Sequence, residues 1–243
     1  MNESEKPKKK SKKNKKLSKK KSRKKINIIN SLKENYISWI LIFIAILLIS
    51  PNNYIKGLFT FLLMMIISYF IHLSSHVCYN IFSALHIYHH NNDNFYSHFS
   101  QILIELGFFP SLFLPLYCIY GKIFVNEWII MFFVLFYSSI HNINYGYFNV
   151  NDVHSIHHKN PSTNIGPDVC DVLFGTKSKL NENVENTNHY IVNIIIITIS
   201  IMCLKYFYYS SEKVKSILNK ILFTFLISSM IITIIGSIVV YYG

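Results

Sequence analysis

The sequence predicts an all-α integral membrane protein: four to six transmembrane or re-entrant helices under a cytosolic, histidine-rich metal-binding cap. Three observations predict it. Of 243 residues, 51% are hydrophobic and 16% aromatic, and the apolar runs approach the roughly 20 residues that a helix needs to cross a bilayer core. The formal charge of +12 is confined to one end: residues 1–25 hold 14 of the 24 Lys and Arg and 2 of the 12 acids, so the remainder balances 10 basic against 10 acidic residues. Nine of the eleven histidines fall in groups spaced by one helical turn or by longer apolar segments.

Taken in order, residues 1–25 form a Lys-rich stretch with too little apolar surface to offset its ordering entropy, and read as a disordered cytosolic tail. Such a tail is drawn to anionic headgroups and implies no specific nucleic-acid partner. It lacks the layout of a cleaved signal peptide and is expected to stay attached. Apolar segments follow over residues 35–50, 54–71, 101–120, 123–141, 190–209 and 219–242. Pro51, Asn52 and Asn53 divide the first two, and Gly121 with Lys122 divides the next two; both breaks are short enough for helical hairpins. A Lys-rich start stays on the cytosolic side, and two crossings per hairpin return the chain there after residue 71 and again after 141. The histidine clusters then share one face. Residues 26–185 read as the histidine-bearing membrane domain and 186–243 as a C-terminal transmembrane pair, although SEKVKSILNK brings three lysines to the far side on this count. Cys78, Cys118, Cys170 and Cys203 form no CxxC pair, so neither a zinc ribbon nor a disulfide framework is expected.

His72 and His76 are four residues apart and share a helix face. His86, His89 and His90 are spaced by three and four, as are His154, His157 and His158, so each cluster is expected to aim at one point. His141 ends the fourth apolar segment. One HxxxH alone is a weak signal, but packing does not explain the joint pattern. Imidazole suits zinc, copper, nickel and iron, and nine donors exceed one four-coordinate site while fitting two metals with four or five ligands each. The acids nearby, Asp93, Glu105, Asp152, Asp168 and Asp171, suit the accepting of a hydrogen bond from a ligand's other ring nitrogen.

The motifs HLSSH, HIYHH, HNINY and HSIHHKNPSTNIGPDVCDVLFGT, spread over residues from about 60 to 177, resemble the fatty acid hydroxylase superfamily, which includes sterol desaturases and sterol and sphingolipid hydroxylases. The resemblance implies two iron ions held by His72, His76, His86, His89, His90, His141, His154, His157 and His158, with molecular oxygen as oxidant. It implies a membrane lipid as substrate, whether sterol, fatty acid or sphingolipid, to be hydroxylated or desaturated. An endoplasmic-reticulum or equivalent membrane is the expected setting. No GxGxxG, haem-attachment or flavin fingerprint is present, so electrons are expected from an external donor such as a cytochrome b5 and its reductase. Zinc is expected to compete for the same imidazoles in recombinant protein.

One position departs from the family. Tyr145 stands where relatives often carry His or Asn, with Asn144 beside it, leaving a tenth place vacant or filled by water; His98 is a candidate replacement. In the closing segment, Gly175 is expected to end a short helix. Asp168 or Asp171 either orients a ligand there or belongs to a lid that only covers the site. The other readings are an acyl-lipid desaturase of a different histidine-box family, a metal-binding or metal-transporting membrane protein, and a catalytically dead relative.

Overall fold

The computed structural model describes residues 28–77, 79–112, 124–178 and 184–243. The Lys-rich tail, Cys78, Cys118 and the Gly121–Lys122 connection lie outside them. Cys170 and Cys203 are free thiols.

All regular structure among the described residues is helical. Helix α1 (Ile28–Glu34) meets α2 (Tyr36–Ile49) at a bend of 78°. Pro51–Asn53 make one tight turn, as the Pro-Asn-Asn break predicts, and α3 (Tyr54–Val77) then runs for 24 residues into the first histidine pair. Asn126 ties this turn region together: its side chain donates to Ser50 Oγ at 2.8 Å, and its backbone N–H donates to Thr60 Oγ1 at 2.9 Å.

Helix α4 (Ile81–Asn91) carries the second histidine cluster and starts at a reciprocal cap. The Asn80 side chain accepts from the Ser83 N–H, and Ser83 Oγ accepts from the Asn80 N–H. Asn94 caps α5 (Phe95–Leu103) through the Ser97 N–H. These caps satisfy amides that no helical carbonyl can reach.

Helix α5 continues through a π-helical turn (Ile104–Phe108) into α6 (Phe109–Leu112), and α7 (Glu127–Ser139) continues through a second π-helical stretch (Ile140–Tyr147). Helices α8 (Val153–Lys159) and α9 (Asp168–Phe174) form the cap, and Gly175, at φ 77°, ends α9 in the left-handed conformation expected of it. A short turn at Thr187–His189 leads into α10 (Tyr190–Ser210), and α11 (Glu212–Tyr242) closes the chain.

Three stretches, Pro51–Val77, Thr187–Ser210 and Glu212–Tyr242, are long and apolar enough to cross a membrane, and the bent α1–α2 pair makes a fourth if it counts as one span. The segments predicted over 101–120 and 123–141 are built differently. The first helix starts earlier, at Phe95, and is described to Leu112; the second passes into a π-helix at Ile140.

Helices α2, α3, α7 and α10 enclose the buried apolar core, with Ile46, Ile49, Met64, Ile129, Phe132 and Ile194 at its centre. Outward residues of the long helices, such as Ile55, Phe59, Ile196, Ile221 and Phe223, stay exposed. Unpartnered apolar surface on this scale suits lipid as solvent.

Helix α11, read from sequence as an anchor or packing pair with α10, packs along α4 and the first π-helical turn. Gly107 makes this approach possible, because a Cβ there would fall 2.1 Å from Ser229 Cβ. The C-terminal helix therefore braces the helix that carries His86, His89 and His90.

Candidate metal centre

All nine predicted histidines come together, in two adjoining groups. His72, His76, His86, His90 and His157 form one and His89, His141, His154 and His158 the other; within each group the potential ligand atoms lie within 4.8 Å of one another. The division departs from the expectation that each cluster aims at one point. In α4, His86 and His90 serve the five-histidine group while His89 turns to the other; in α8, His154 and His158 serve the four-histidine group while His157 crosses over. Helical geometry explains this: residues four apart lie nearly in line on one face, and the residue three positions on falls to the side. Each HxxHH motif therefore feeds both groups and locks them side by side. His90 and His158 stack across the boundary with ring centroids 4.2 Å apart.

Hydrogen bonds at the outer nitrogens aim the inner ones. Ser97, Gln101 and Glu105 follow at intervals of four along α5 and its π-helical turn. Gln101 donates its amide to Glu105 Oε1 at 2.8 Å, which leaves its own carbonyl oxygen facing His86 Nδ1 at 3.1 Å. His86 must then donate from Nδ1 and present a lone pair at Nε2. His157 Nδ1 likewise donates to the Thr163 carbonyl at 2.8 Å. His141 Nδ1 bonds Glu105, and His89 Nδ1 bonds Ser97 Oγ at 3.1 Å. His72 Nδ1 meets the Tyr137 hydroxyl at 3.4 Å.

The inner nitrogens crowd each other. His72 and His157 bring their Nε2 atoms to 3.1 Å, and His76 and His86 bring theirs to 3.0 Å. His89 Nε2, His158 Nε2 and both ring nitrogens of His90 are buried without a hydrogen-bond partner. A buried polar atom left unpaired is costly and calls for an explanation. Converging lone pairs from nine imidazoles fit cations of the kind imidazole binds, one in each group.

The same burial keeps the rings neutral. Desolvation, reinforced by neighbouring histidines, lowers His86 and His157 to about 3 and His158 to about 4; donation to Gln101 and to the Thr163 carbonyl partly opposes it in the first two. His89 falls to about 2, and His90 and His154 are pushed far down for the same reason. Neutral imidazole is the metal-binding form.

The remaining predicted residues are placed elsewhere. His98 belongs to neither group: its side chain is 44% exposed and its Nε2 bonds Asp93 at 2.8 Å. Asp152 is exposed at the start of α8, without a capping bond from its side chain. Asp168 accepts from Ser31 Oγ at 2.9 Å and pairs with Lys177. Asp171 accepts from the Gly166 N–H at 2.9 Å and from Thr176 Oγ1 at 2.7 Å, and Thr176 Oγ1 meets the Tyr69 hydroxyl at 2.9 Å. Burial raises Asp171 to about 6. These two acids fasten a lid made of residues 160–177 to α1 and α3, and of the acids singled out from the sequence it is Glu105 that bonds a histidine of the two groups.

Sequence reasoning missed Ser97, Gln101 and Tyr137, and the buried carboxyl of Glu185. The Glu185 carboxyl takes the Tyr145 hydroxyl and the Asn151 amide, the latter at 2.8 Å. Burial, as the largest influence, raises it to about 7.

Two cavities flank the histidines. One, of about 650 Å³, reaches His72 and His86 between walls that include Phe70, Phe82, Phe108, Phe109 and Phe133. The other, about 110 Å³, touches His72, His141, His154 and His157 and is bordered by Tyr145 and Glu185. Among the aromatics near the first two histidine motifs, Phe70 and Phe82 line the larger cavity. Tyr69 is tied to the lid, Tyr79 stacks on Tyr241 and Phe95 stacks on Phe99.

Comparison with known families agrees with this geometry. The fatty acid hydroxylase family matches residues 57–176, which hold all nine histidines of the two groups. No curated protein and no solved structure matched the chain.

Proposed function

With residues 57–176 established as a fatty acid hydroxylase family domain, which implies an oxidoreductase, we propose that the chain is a membrane-bound di-iron oxygenase. It hydroxylates or desaturates a lipid with O2 and electrons from an external donor. One observation carries the reading: nine inward-facing imidazoles in two adjoining groups border a largely apolar cavity at His72 and His86. The irons supply reductive activation of oxygen, chemistry that no side chain offers. In hydroxylation one oxygen atom enters a C–H bond, and the other leaves as water with two electrons and two protons from outside. Desaturation uses the same input, removes two hydrogens from the lipid and releases both oxygen atoms as water.

The protein's own share is positional. Phe70, Phe108, Phe109 and Phe133 exclude water from the larger cavity and offer apolar walls to a hydrocarbon chain or ring system. Gln101 and Glu105 also line it, and they bond the outer nitrogens of His86 and His141. Holding a substrate carbon against fixed ligands is worth several kcal/mol of barrier. A cytochrome b5 and its reductase fit as the donor, a cytosolic placement of the tail and histidines fits the charge bias of the sequence, and an endoplasmic-reticulum or equivalent membrane rests on the family resemblance.

Lipid profiling of cells expressing the chain, against cells expressing His89→Ala/His157→Ala, tests this. The expected result is a lipid species heavier by one oxygen or lighter by two hydrogens that only the unaltered chain produces. Identical profiles from well-inserted proteins would reject the proposal.

A further inference from the structure

The histidine pattern contains a near-symmetry that breaks at one residue. Pairs four apart serve one group each: His72/His76 and His86/His90 in the five-histidine group, His154/His158 in the four-histidine group. Each group also receives one crossing histidine, His157 or His89. A second pair in the four-histidine group would start at His141 and end four residues on, at Tyr145.

Tyr145 lies where that ligand belongs. It follows His141 on the same π-helical stretch, and its ring stacks on His154 of the same group at 5.7 Å and 14°. Its hydroxyl, however, is turned away. It donates to Glu185 and meets the Tyr190 hydroxyl at 2.8 Å, while Asn151 donates to the same Glu185 oxygen at 2.8 Å. Glu185 and Tyr190 lie beyond the residues that match the family, so the restraint comes from this chain's own C-terminal part. Neighbouring Asn144 is occupied too, donating to the His189 carbonyl and to Asn193 Oδ1.

Building on the di-iron reading above, we propose that Glu185 and Tyr190 hold Tyr145 off the four-histidine metal, so that this metal keeps an open coordination place for a small exogenous ligand. The place faces the smaller cavity, which His141, His154, Tyr145 and Glu185 line together with His72 and His157 of the five-histidine group. Its volume of about 110 Å³ leaves room for a small molecule beside the histidines. The two groups thereby differ by one protein ligand, five imidazoles in one and four in the other. Tyr145, Glu185 and Tyr190 are positioning residues in this arrangement.

The test uses full-length protein loaded with ferric iron in lipid nanodiscs, with azide as the probe and charge-transfer absorption as the readout. The unaltered chain should hold two irons, show no ferric-phenolate absorption and bind azide. Tyr145→Phe should match it in iron content and azide binding. Tyr145→His should keep both irons and bind azide about tenfold more weakly or worse, the scale on which single metal contacts act. A phenolate band that Tyr145→Phe abolishes would overturn the proposal, because it would make Tyr145 a ligand. Absence of azide binding by the unaltered chain would overturn it as well, as would unchanged azide binding by Tyr145→His with both irons in place. Fewer than two irons in the unaltered chain would instead reject the di-iron reading on which the proposal stands.

Discussion

The two histidine groups share α4 and α8 yet are supported differently. In the five-histidine group the outer nitrogens meet uncharged partners: the Gln101 carbonyl, the Thr163 carbonyl and the Tyr137 hydroxyl. In the four-histidine group His141 rests on the Glu105 carboxyl group, which also accepts from the Asn142 amide at 2.6 Å, and His89 rests on Ser97. A carboxyl partner makes an imidazole a stronger donor than a carbonyl does. The group with fewer histidines thus holds the imidazole that is backed by a carboxyl group, and the difference teaches that two histidine groups can be made unequal from outside the groups themselves. Glu105 links the groups too, since through Gln101 it sets the tautomer of His86.

The largest effects should come from the crossing histidines. His157→Ala should strip metal from the five-histidine group and His89→Ala from the four-histidine group, each abolishing lipid product while membrane insertion persists. Metal analysis of each purified variant checks this, and loss of both metals from either variant would show that the groups are not separable.

Glu105→Gln should come next, lowering affinity at the four-histidine group by about 10- to 100-fold and, through Gln101 and His86, weakening the five-histidine group less. Gln101→Ala should act on the five-histidine group, through His86. Competition with a chelator would reveal the two classes of site, and equal weakening of both in both variants would erase the distinction drawn above.

Acid should act on the metal-free chain in a defined direction. Folded His86 and His157 titrate near 3 and His158 near 4, whereas the unfolded imidazoles titrate near the ordinary value of about 6.5. Between those values the unfolded chain binds more protons. The stability contributed by these neutral rings is complete above about 6.5 and is lost as pH falls toward 4 for His158 and toward 3 for His86 and His157. Thermal melts of the metal-free protein from neutral pH downward should show falling midpoints, and a flat profile would contradict the burial described here.

Smaller still, Ser31→Ala removes one hydrogen bond to Asp168 and should cost about 1 kcal/mol of stability with metal content unchanged. His98→Ala should alter neither. A metal deficit in either variant would return the lid acids or His98 to the site.

Much of this was legible in the sequence because metal chemistry leaves a dense mark. The apolar runs, the Pro51 break, the helix end at Gly175 and the nine histidines follow from residue type and spacing. The division of each HxxHH motif was also present in the spacing, since three and four residues turn a helix by different angles. What stayed hidden depended on contacts across the chain. Ser97, Gln101 and Glu105 repeat every four residues, but an apolar segment counted from residue 101 cuts that stripe in two. The π-helical turns that carry Glu105 and His141 have no residue signature of their own. For Asp168 and Asp171 the sequence left two roles open, orienting a ligand or belonging to a lid, and their partners Ser31, Lys177 and Thr176 lie remote in sequence or across a turn. Glu185 lies past the last motif, and only the fold brings it to Tyr145.

The central claim is that the two groups hold one metal each. Anomalous X-ray scattering at the iron edge, from crystals of the full-length iron-loaded protein, tests it most directly. Two peaks are predicted, one among His72, His76, His86, His90 and His157 and one among His89, His141, His154 and His158. A single peak, or peaks away from these imidazoles, would contradict the account.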